Sequence, residues 1–479
     1  ERPRENTCYD RAPQKLFGVY LLKIIDIRCE QLEGVLETGM DLFQERLIRP
    51  IDIYPEHRKE TMEVMHPDRF RSRGEGCWEI STVVVHIDTD EGLSGISGPM
   101  SQNEAFFINT QLKSFLIGQN ALATELIWDK MYRQLIHGRK GEAMFAVSAI
   151  DNALWDIRGK AANLPLYQLL GGPTRKTFPA YASALGFPIT LEDADKTARG
   201  FAKEGYTATK WFVRNGPMDG EVGARKNIEL VSTLRKAVGD DIDIMIDAWS
   251  SWDVRYALDM ANRMAEFRPR WLEEVVKPDD IQGQARVNAL SPVPISGGEH
   301  EYTRWGAREY FEARAVDIYQ ADTVWAGGVS EMLKIFAMGS AFGVEVIFEQ
   351  VSWPTRPCGG EPDLAGACTP DRWGRSTSQV VQYAQQPQMA AAMPQPPQKL
   401  TTGMPDPAAL APFAADAPPA VRRPAGFVPG GADGWSAEHR HPPRATDAVS
   451  QRVTLQLKGG GGALLRLTNA AAGPGCGAL

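Results

Sequence analysis

The sequence predicts an α/β chain: a TIM-type parallel barrel behind an N-terminal α+β capping domain, with the last barrel strand apparently missing. Three observations carry this reading. Residues 18–140 place strand-like runs before helical ones, residues 141–347 alternate short apolar runs with helical stretches, and three of those runs end on a carboxylate.

In the first segment, Val19 to Cys29 is apolar and rich in β-branched residues. Ile80 to Ile87 leads into the turn Asp88-Thr89-Asp90-Glu91-Gly92 and then Leu93-Ser94-Gly95-Ile96, which predicts a hairpin in a small antiparallel sheet. Glu104 to Gly118 and Ala121 to His137 have helical spacing, so strands precede helices here.

Met144 to Ala162 reads as a strongly amphipathic helix that opens the barrel segment. The strand-like runs after it are Phe178 to Leu185, Ala208 to Val213, Ile242 to Ala248, Trp271 to Val275, Val293 to Gly297, Val316 to Ala321 and Val344 to Ile347. Helical stretches between them imply parallel strands with crossover helices. Seven strands are visible where a closed barrel of this type has about eight.

Past Ile347 the composition breaks. Residues 351–479 hold 18 of the 33 prolines, contain no isoleucine, and have lysine only at Lys399 and Lys458. Runs such as Met393-Pro394-Gln395-Pro396-Pro397 and Gly459 to Gly462 suit neither strand nor helix, so residues 348–479 are expected to lack a packed core. Two readings account for this segment: a natural tail, or a reading frame lost near residue 348. The second is favoured, because the break falls inside an unfinished barrel and Ala, Pro, Gly and Arg are what a GC-rich gene yields out of frame.

Bulk properties narrow the partners. With 479 residues and a formal net charge of -8, the chain has room for a large core and no global basic field to draw nucleic acid. No apolar run approaches the length of a membrane span, and no apolar signal core follows Glu1-Arg2-Pro3-Arg4, so a cytoplasmic protein with a small-molecule partner is expected. Cys8, Cys29, Cys77, Cys358, Cys368 and Cys476 are scattered without metal-ligand spacing. They read as incidental thiols.

Chemistry is concentrated in Asp247, Glu273 and Glu299, at the carboxyl ends of three successive predicted strands and equally spaced in sequence. Neighbouring barrel strands deliver such residues to one face, where three carboxylates need a hard divalent cation such as Mg²⁺ to offset their repulsion.

The stretches around these residues resemble a family. Gly297-Gly298-Glu299-His300-Glu301-Tyr302-Thr303-Arg304-Trp305-Gly306, Asp317-Ile318-Tyr319-Gln320-Ala321-Asp322 and Trp325-Ala326-Gly327-Gly328-Val329 closely resemble the fifth and sixth strands of the L-rhamnonate dehydratases, in the mandelate racemase subgroup of the enolase superfamily. Ala149-Ile150-Asp151-Asn152-Ala153-Leu154-Trp155-Asp156, Leu169-Leu170-Gly171-Gly172 and Lys277-Pro278-Asp279-Asp280 agree, and the resemblance covers roughly residues 18–347.

That resemblance implies Mg²⁺ held by Asp247, Glu273 and Glu299, and dehydration of an aldonic sugar acid to a 2-keto-3-deoxy acid through an enediolate. It implies a homo-oligomer as well. The family's base is a histidine on the seventh strand oriented by an aspartate on the sixth; Asp322 fits the second position, but Ile347-Phe348-Glu349-Gln350 stands where Pro-His-Gly is expected. Glu349 is a conceivable substitute. Lys210 and Phe212 share one side of the second strand, where the superfamily's racemases place two lysines, and Phe212 therefore argues for dehydration. Lys210 is a candidate contact for the substrate carboxylate and His300 a candidate catalytic wall. Arg71 and Arg73, in the basic loop His66 to Gly74, are candidate substrate-binding groups. Two alternatives stay open: a racemase or cycloisomerase on the same scaffold, and a truncated, non-catalytic protein.

Overall fold

The computed structural model describes residues 15–16, 19–37, 45–60, 70–74, 77–172, 181–349 and 454–457. Among these, no helix is long and apolar enough to cross a membrane.

The capping part is built on β1 (Ile24–Glu37), β2 (Phe70–Gly74), β3 (Cys77–Thr89) and β4 (Ser94–Met100). β3 pairs antiparallel with β1, β2 and β4, and its turn into β4 closes where Thr89 N–H donates to Leu93 O at 2.9 Å. The predicted hairpin is therefore present. Helix α1 (Gln102–Phe107), extended through a π turn at Ile108–Leu112, and α2 (Thr124–Gln134) cover one face of the sheet. Ile24, Ile27, Val85, Ile87, Ile108, Leu112 and Met131 are buried there together. The basic stretch read as a loop is a strand from Phe70 onward, because it finds a partner in the free edge of β3; residues 61–69 lie outside the described residues.

Seven parallel strands follow in sequence order: β5 (Ala182–Ser183), β6 (Ala208–Phe212), β7 (Asp243–Asp247), β8 (Trp271–Glu273), β9 (Ile295–Gly297), β10 (Ile318–Asp322) and β11 (Glu345–Glu349). The first run is shorter than expected, and its residues 178–180 lie outside the described residues. Ala208, Met245, Trp271 and Ile318 form one buried cluster with Tyr181, beside β5, and Ile347, in β11. Residues at both edges of the sheet reach the same cluster, so the sheet is curled into part of a barrel. β11 runs two residues past Ile347, into the stretch read as anomalous. A second difference is β12 (Thr454–Leu457), which pairs parallel with Glu33–Leu36 on the edge of the capping sheet. Its four residues contain no proline, and an open edge offers backbone partners to such a segment. The rest of the proline-rich segment lies outside the described residues.

Helix α3 (Glu142–Ala162) departs from the expectation of an amphipathic barrel helix, since it is buried on nearly every side. One face packs into the capping core through Met144, Val147, Ile150 and Leu154. Crossover helices α4 (Leu191–Lys203), α5 (Gly220–Val238), α6 (Val254–Met264), α7 (Ile281–Leu290) and α8 (Thr303–Glu312) precede α9 (Gly328–Phe342), and the polar stripe of α3 faces α9 instead of water. Ser148 Oγ accepts from Gly327 N at 2.9 Å, Asn152 Oδ1 from Val329 N at 3.1 Å, and Asp151 Oδ2 from Ser330 N at 2.8 Å. These N–H groups open a helix and have no partner within it, so the polar side chains of α3 cap α9 from outside. The glycines make the approach possible: Gly328 has φ +80°, and a Cβ there would lie 2.5 Å from Asp151 Oδ2.

Burial pushes the Asp151 carboxyl from its ordinary 3.8 up to about 7, against the pull of its hydrogen bonds from Ser330. The folded chain thus binds a proton that the unfolded chain has released between about pH 4 and 7, and in that window Asp151 costs stability as pH rises. Asp151→Asn, which still accepts from Ser330, should flatten this dependence. Urea unfolding midpoints of both proteins at pH 4.5 and 7 check it, and equal pH slopes would refute the assignment.

Candidate functional site at the carboxyl ends of the strands

Lys210, in the middle of β6, is buried with its ammonium 2.6 Å from Glu273 Oε1 and 3.4 Å from Asp247 Oδ2. Strand register explains the meeting, because Asp247 pairs with both Phe212 and Glu273 across neighbouring strands. The ammonium also lies 5.4 Å from the Phe212 ring, so the two residues do share one side of β6.

Glu273 is fully buried and its other oxygen is occupied: Trp271 Nε1 donates to Oε2 at 2.9 Å and Gln320 Nε2 at 3.1 Å. Burial pushes its carboxyl up to about 8 while the adjacent ammonium pulls it down, and Asp247 adds to the rise. Asp247 Oδ1 accepts from Trp249 N at 2.8 Å. Sequence reading missed Trp271 and Gln320. Each lies two positions before a strand-end acid, so the period of two would have put it on the same side.

Glu299, buried past β9, stands in a second group. The ligand atoms of Glu274, Glu299 and His300 lie within 4.8 Å of one another, and among the described residues this is the one set of three or more acidic, histidine or cysteine side chains gathered that closely. His300 Nδ1 lies 2.8 and 2.9 Å from the two oxygens of Glu274. An ionised Glu274 can only accept, which fixes the proton on Nδ1 and leaves Nε2 to face other groups. Glu274 itself has φ +45°, a left-handed turn that ends β8, and sequence reading passed over it as the neighbour of Glu273. At Gly298, the residue before Glu299, any Cβ would be driven into the Tyr319 ring.

Asp322, at the end of β10, is fully buried; Oδ1 accepts from Val324 N at 2.6 Å, and its strand partner on β11 is Glu349. Arg71 and Arg73 lie elsewhere. Both are exposed on β2 and are directed at Glu79. Capping residues 45–60 reach the residues after β6: Ile48 N donates to Val213 O at 3.0 Å, Arg58 pairs with Asp219 at 2.8 Å, and Arg214 pairs with Glu45 at 3.2 Å, while α2 reaches the barrel through Trp128, whose Nε1 donates to Gly327 O at 2.7 Å. Between that segment and the residues after β6 and β7 is a cavity of about 200 Å³, lined by Arg49, Asp52, Arg58, Arg214 and Ser251 among others. Nothing in local spacing marked these arginines, whose meeting depends on the docking of cap on barrel.

The chain matches known proteins over both parts. Residues 72–171 match the mandelate racemase/muconate lactonizing enzyme N-terminal domain, and residues 192–422, reaching past Ile347, match the enolase C-terminal domain-like family. L-rhamnonate dehydratase of Saccharopolyspora erythraea is 34% identical over 303 residues, which cover 62% of this chain and 72% of that one. Rhamnonate dehydratase of Gibberella zeae, solved with Mg, superposes with a TM-score of 0.61 at 29% identity, covering 70% of this chain and 80% of that one. The 3,6-anhydro-D-galactonate cycloisomerase of Zobellia galactanivorans gives 0.53 at 28% identity, covering 70% and 81%. With a curled parallel sheet behind an antiparallel capping sheet, and sequence identity over most of both, the chain belongs to the mandelate racemase/muconate lactonizing enzyme family of the enolase superfamily.

Proposed function

We propose that this chain is a sugar-acid dehydratase, acting on an aldonate of the L-rhamnonate type with a divalent cation, Mg²⁺, held by Asp247, Glu273 and Glu299. The observation that carries the reading is the buried convergence of Asp247 and Glu273 on the single ammonium of Lys210 at the carboxyl ends of the strands. The donor set suits the ion in its chemistry, since all three groups offer hard carboxylate oxygens; Asp247 and Glu273 lie within reach of one positive charge, and Glu299 lies with Glu274 and His300. When bound, the cation would offset the carboxylate charges and polarise the substrate carboxylate, making the hydrogen on the adjacent carbon more acidic.

The chain's own residues then have separate tasks. Lys210 offers N–H donors toward a carboxylate. His300, held through Nδ1 by Glu274, presents Nε2 to exchange a proton with the substrate. In the reaction the C2–H bond breaks, its electron pair forms the C2–C3 double bond, and the 3-hydroxyl leaves as water after taking up a proton; the enol then becomes the 2-keto acid. The family resemblance expects a histidine on the seventh strand, and β11 ends in Phe348-Glu349 beside Asp322. Racemisation needs a second base opposite the first, and Phe212 stands where the lysine would be.

Two measurements check the proposal. Calorimetric titration with Mg²⁺ should show one site in the wild type that Asp247→Asn weakens severely, and equal binding by both would remove Asp247 from the site. Turnover of L-rhamnonate, L-mannonate and L-lyxonate with Mg²⁺, followed as 2-keto-3-deoxy acid, should be about 10²–10⁴-fold slower than in a chain carrying the seventh and eighth strands of a relative, the usual size of a general-base contribution. Comparable turnover would show that Glu349, Lys210 or His300 supplies the base.

A further inference from the structure

Five aromatic rings form a continuous row of contacts that starts beside the candidate site, and the roles proposed above use only the imidazole. The His300 ring lies 5.5 Å from Trp249, which meets it edge to face, and 5.4 Å from Trp325. Trp325 in turn stacks on Phe145 at 5.4 Å, and Phe145 reaches Tyr302 at 5.9 Å. These residues come from four separate places in the fold: just past β7, past β9, past β10, and the first turn of α3.

Two features separate this row from ordinary core packing. All five rings keep part of their surface exposed, whereas the core tryptophans Trp211 and Trp271 are 0% and 2% exposed. Moreover, Trp249 and Ser250 are consecutive left-handed residues, φ +43° and +59°, a conformation that bulky side chains rarely adopt and that surrounding contacts must impose. Those contacts are present. Trp249 N–H donates to Asp247 Oδ1, Ser251 Oγ to Trp249 O at 3.0 Å, and Ser250 N–H to Glu274 O at 2.6 Å. The same groups that shape the acidic site therefore fix the indole beside it.

A polyhydroxylated acid presents oxygens on some sides of its carbon chain and rows of C–H bonds on others. The hydrogens, made electropositive by neighbouring oxygens, favour the negative face of an aromatic ring, and that contact also removes apolar surface from water. We infer that Trp249 and Trp325 form a stacking subsite for the C–H face of the substrate's carbon chain, and that this subsite separates a sugar acid from a short hydroxy acid. The inference rests on the sugar-acid reading and names the residues that select for chain length within it.

The test is equilibrium binding by calorimetry with Mg²⁺ and the full chain, using L-rhamnonate and glycolate as probes. Glycolate has the carboxylate and hydroxyl of the reacting end and no further carbon chain. Trp249→Ala and Trp325→Ala should each weaken L-rhamnonate about three- to tenfold, the range of a single aromatic contact, and leave glycolate within about twofold. Trp249→Phe, which keeps a ring, should retain most of the affinity. Alanine variants that bind L-rhamnonate as the wild type does would overturn the subsite alone, as would variants that lose both probes equally, which would mean a structural role. A wild type that binds glycolate and not L-rhamnonate would overturn the sugar-acid reading together with the subsite.

Discussion

The capping of α9 by the polar stripe of α3 is the constraint on which the rest of the structure depends. Ser148, Asp151 and Asn152 take the N–H groups of Gly327, Val329 and Ser330, and Trp155 Nε1 donates to Ser330 Oγ at 2.8 Å. A buried helix start left without partners would cost several unsatisfied groups at once, so this contact welds the capping core to the barrel. It also fixes the segment between β10 and α9, which carries Asp322 at one end and Trp325 in the middle. Asn152 reinforces that segment by donating to Thr323 O. The geometry of the site's sixth strand is thus set by a helix that precedes the first.

Charge is arranged around burial. Glu273, Asp247 and Lys210 are all withdrawn from water, where a lone carboxylate or ammonium would be expensive and a hydrogen-bonded set is tolerable. Trp271 and Gln320 complete the set by donating to the second oxygen of Glu273. Glu274 is buried as well, and its partner His300 keeps the imidazole about one quarter exposed. The acids of both groups are thus buried, and the imidazole alone among these side chains keeps a contact with solvent.

The cap contributes in two unrelated ways. Its sheet and helices form a core of their own, while residues 45–60 extend over the barrel and pair with Arg214 and Asp219. Asp52 is the pivot of that segment, within 3.0 Å of Arg46 and 3.6 Å of Arg214. Four arginines, at 46, 49, 58 and 214, meet four carboxylates, so the contact is close to neutral and binds by matched pairs. Partly buried pairs of this kind are screened by salt less than exposed ones.

The sequence by itself determined the order of elements and the identity of the acids. Strand runs were legible because apolar residues of a buried parallel strand are continuous, and Asp247, Glu273 and Glu299 stood out because each follows such a run. Lys210 facing the same side as Phe212 was legible from the period of two. What the tertiary structure alone decided was which groups meet: that Glu273 turns to Lys210 and Trp271, that Glu299 joins Glu274 and His300, that Arg71 and Arg73 are directed at Glu79, and that 45–60 pairs with the residues after β6. The physical reason is that local periodicity fixes only the side of an element on which a residue lies. The partner across the gap depends on backbone turns such as the left-handed Glu274 and Trp249, and on the docking of α3. The same limit explains why α3 read as an amphipathic helix and not as a buried one: hydrogen-bonding side chains look alike in sequence whether water or the start of another helix satisfies them.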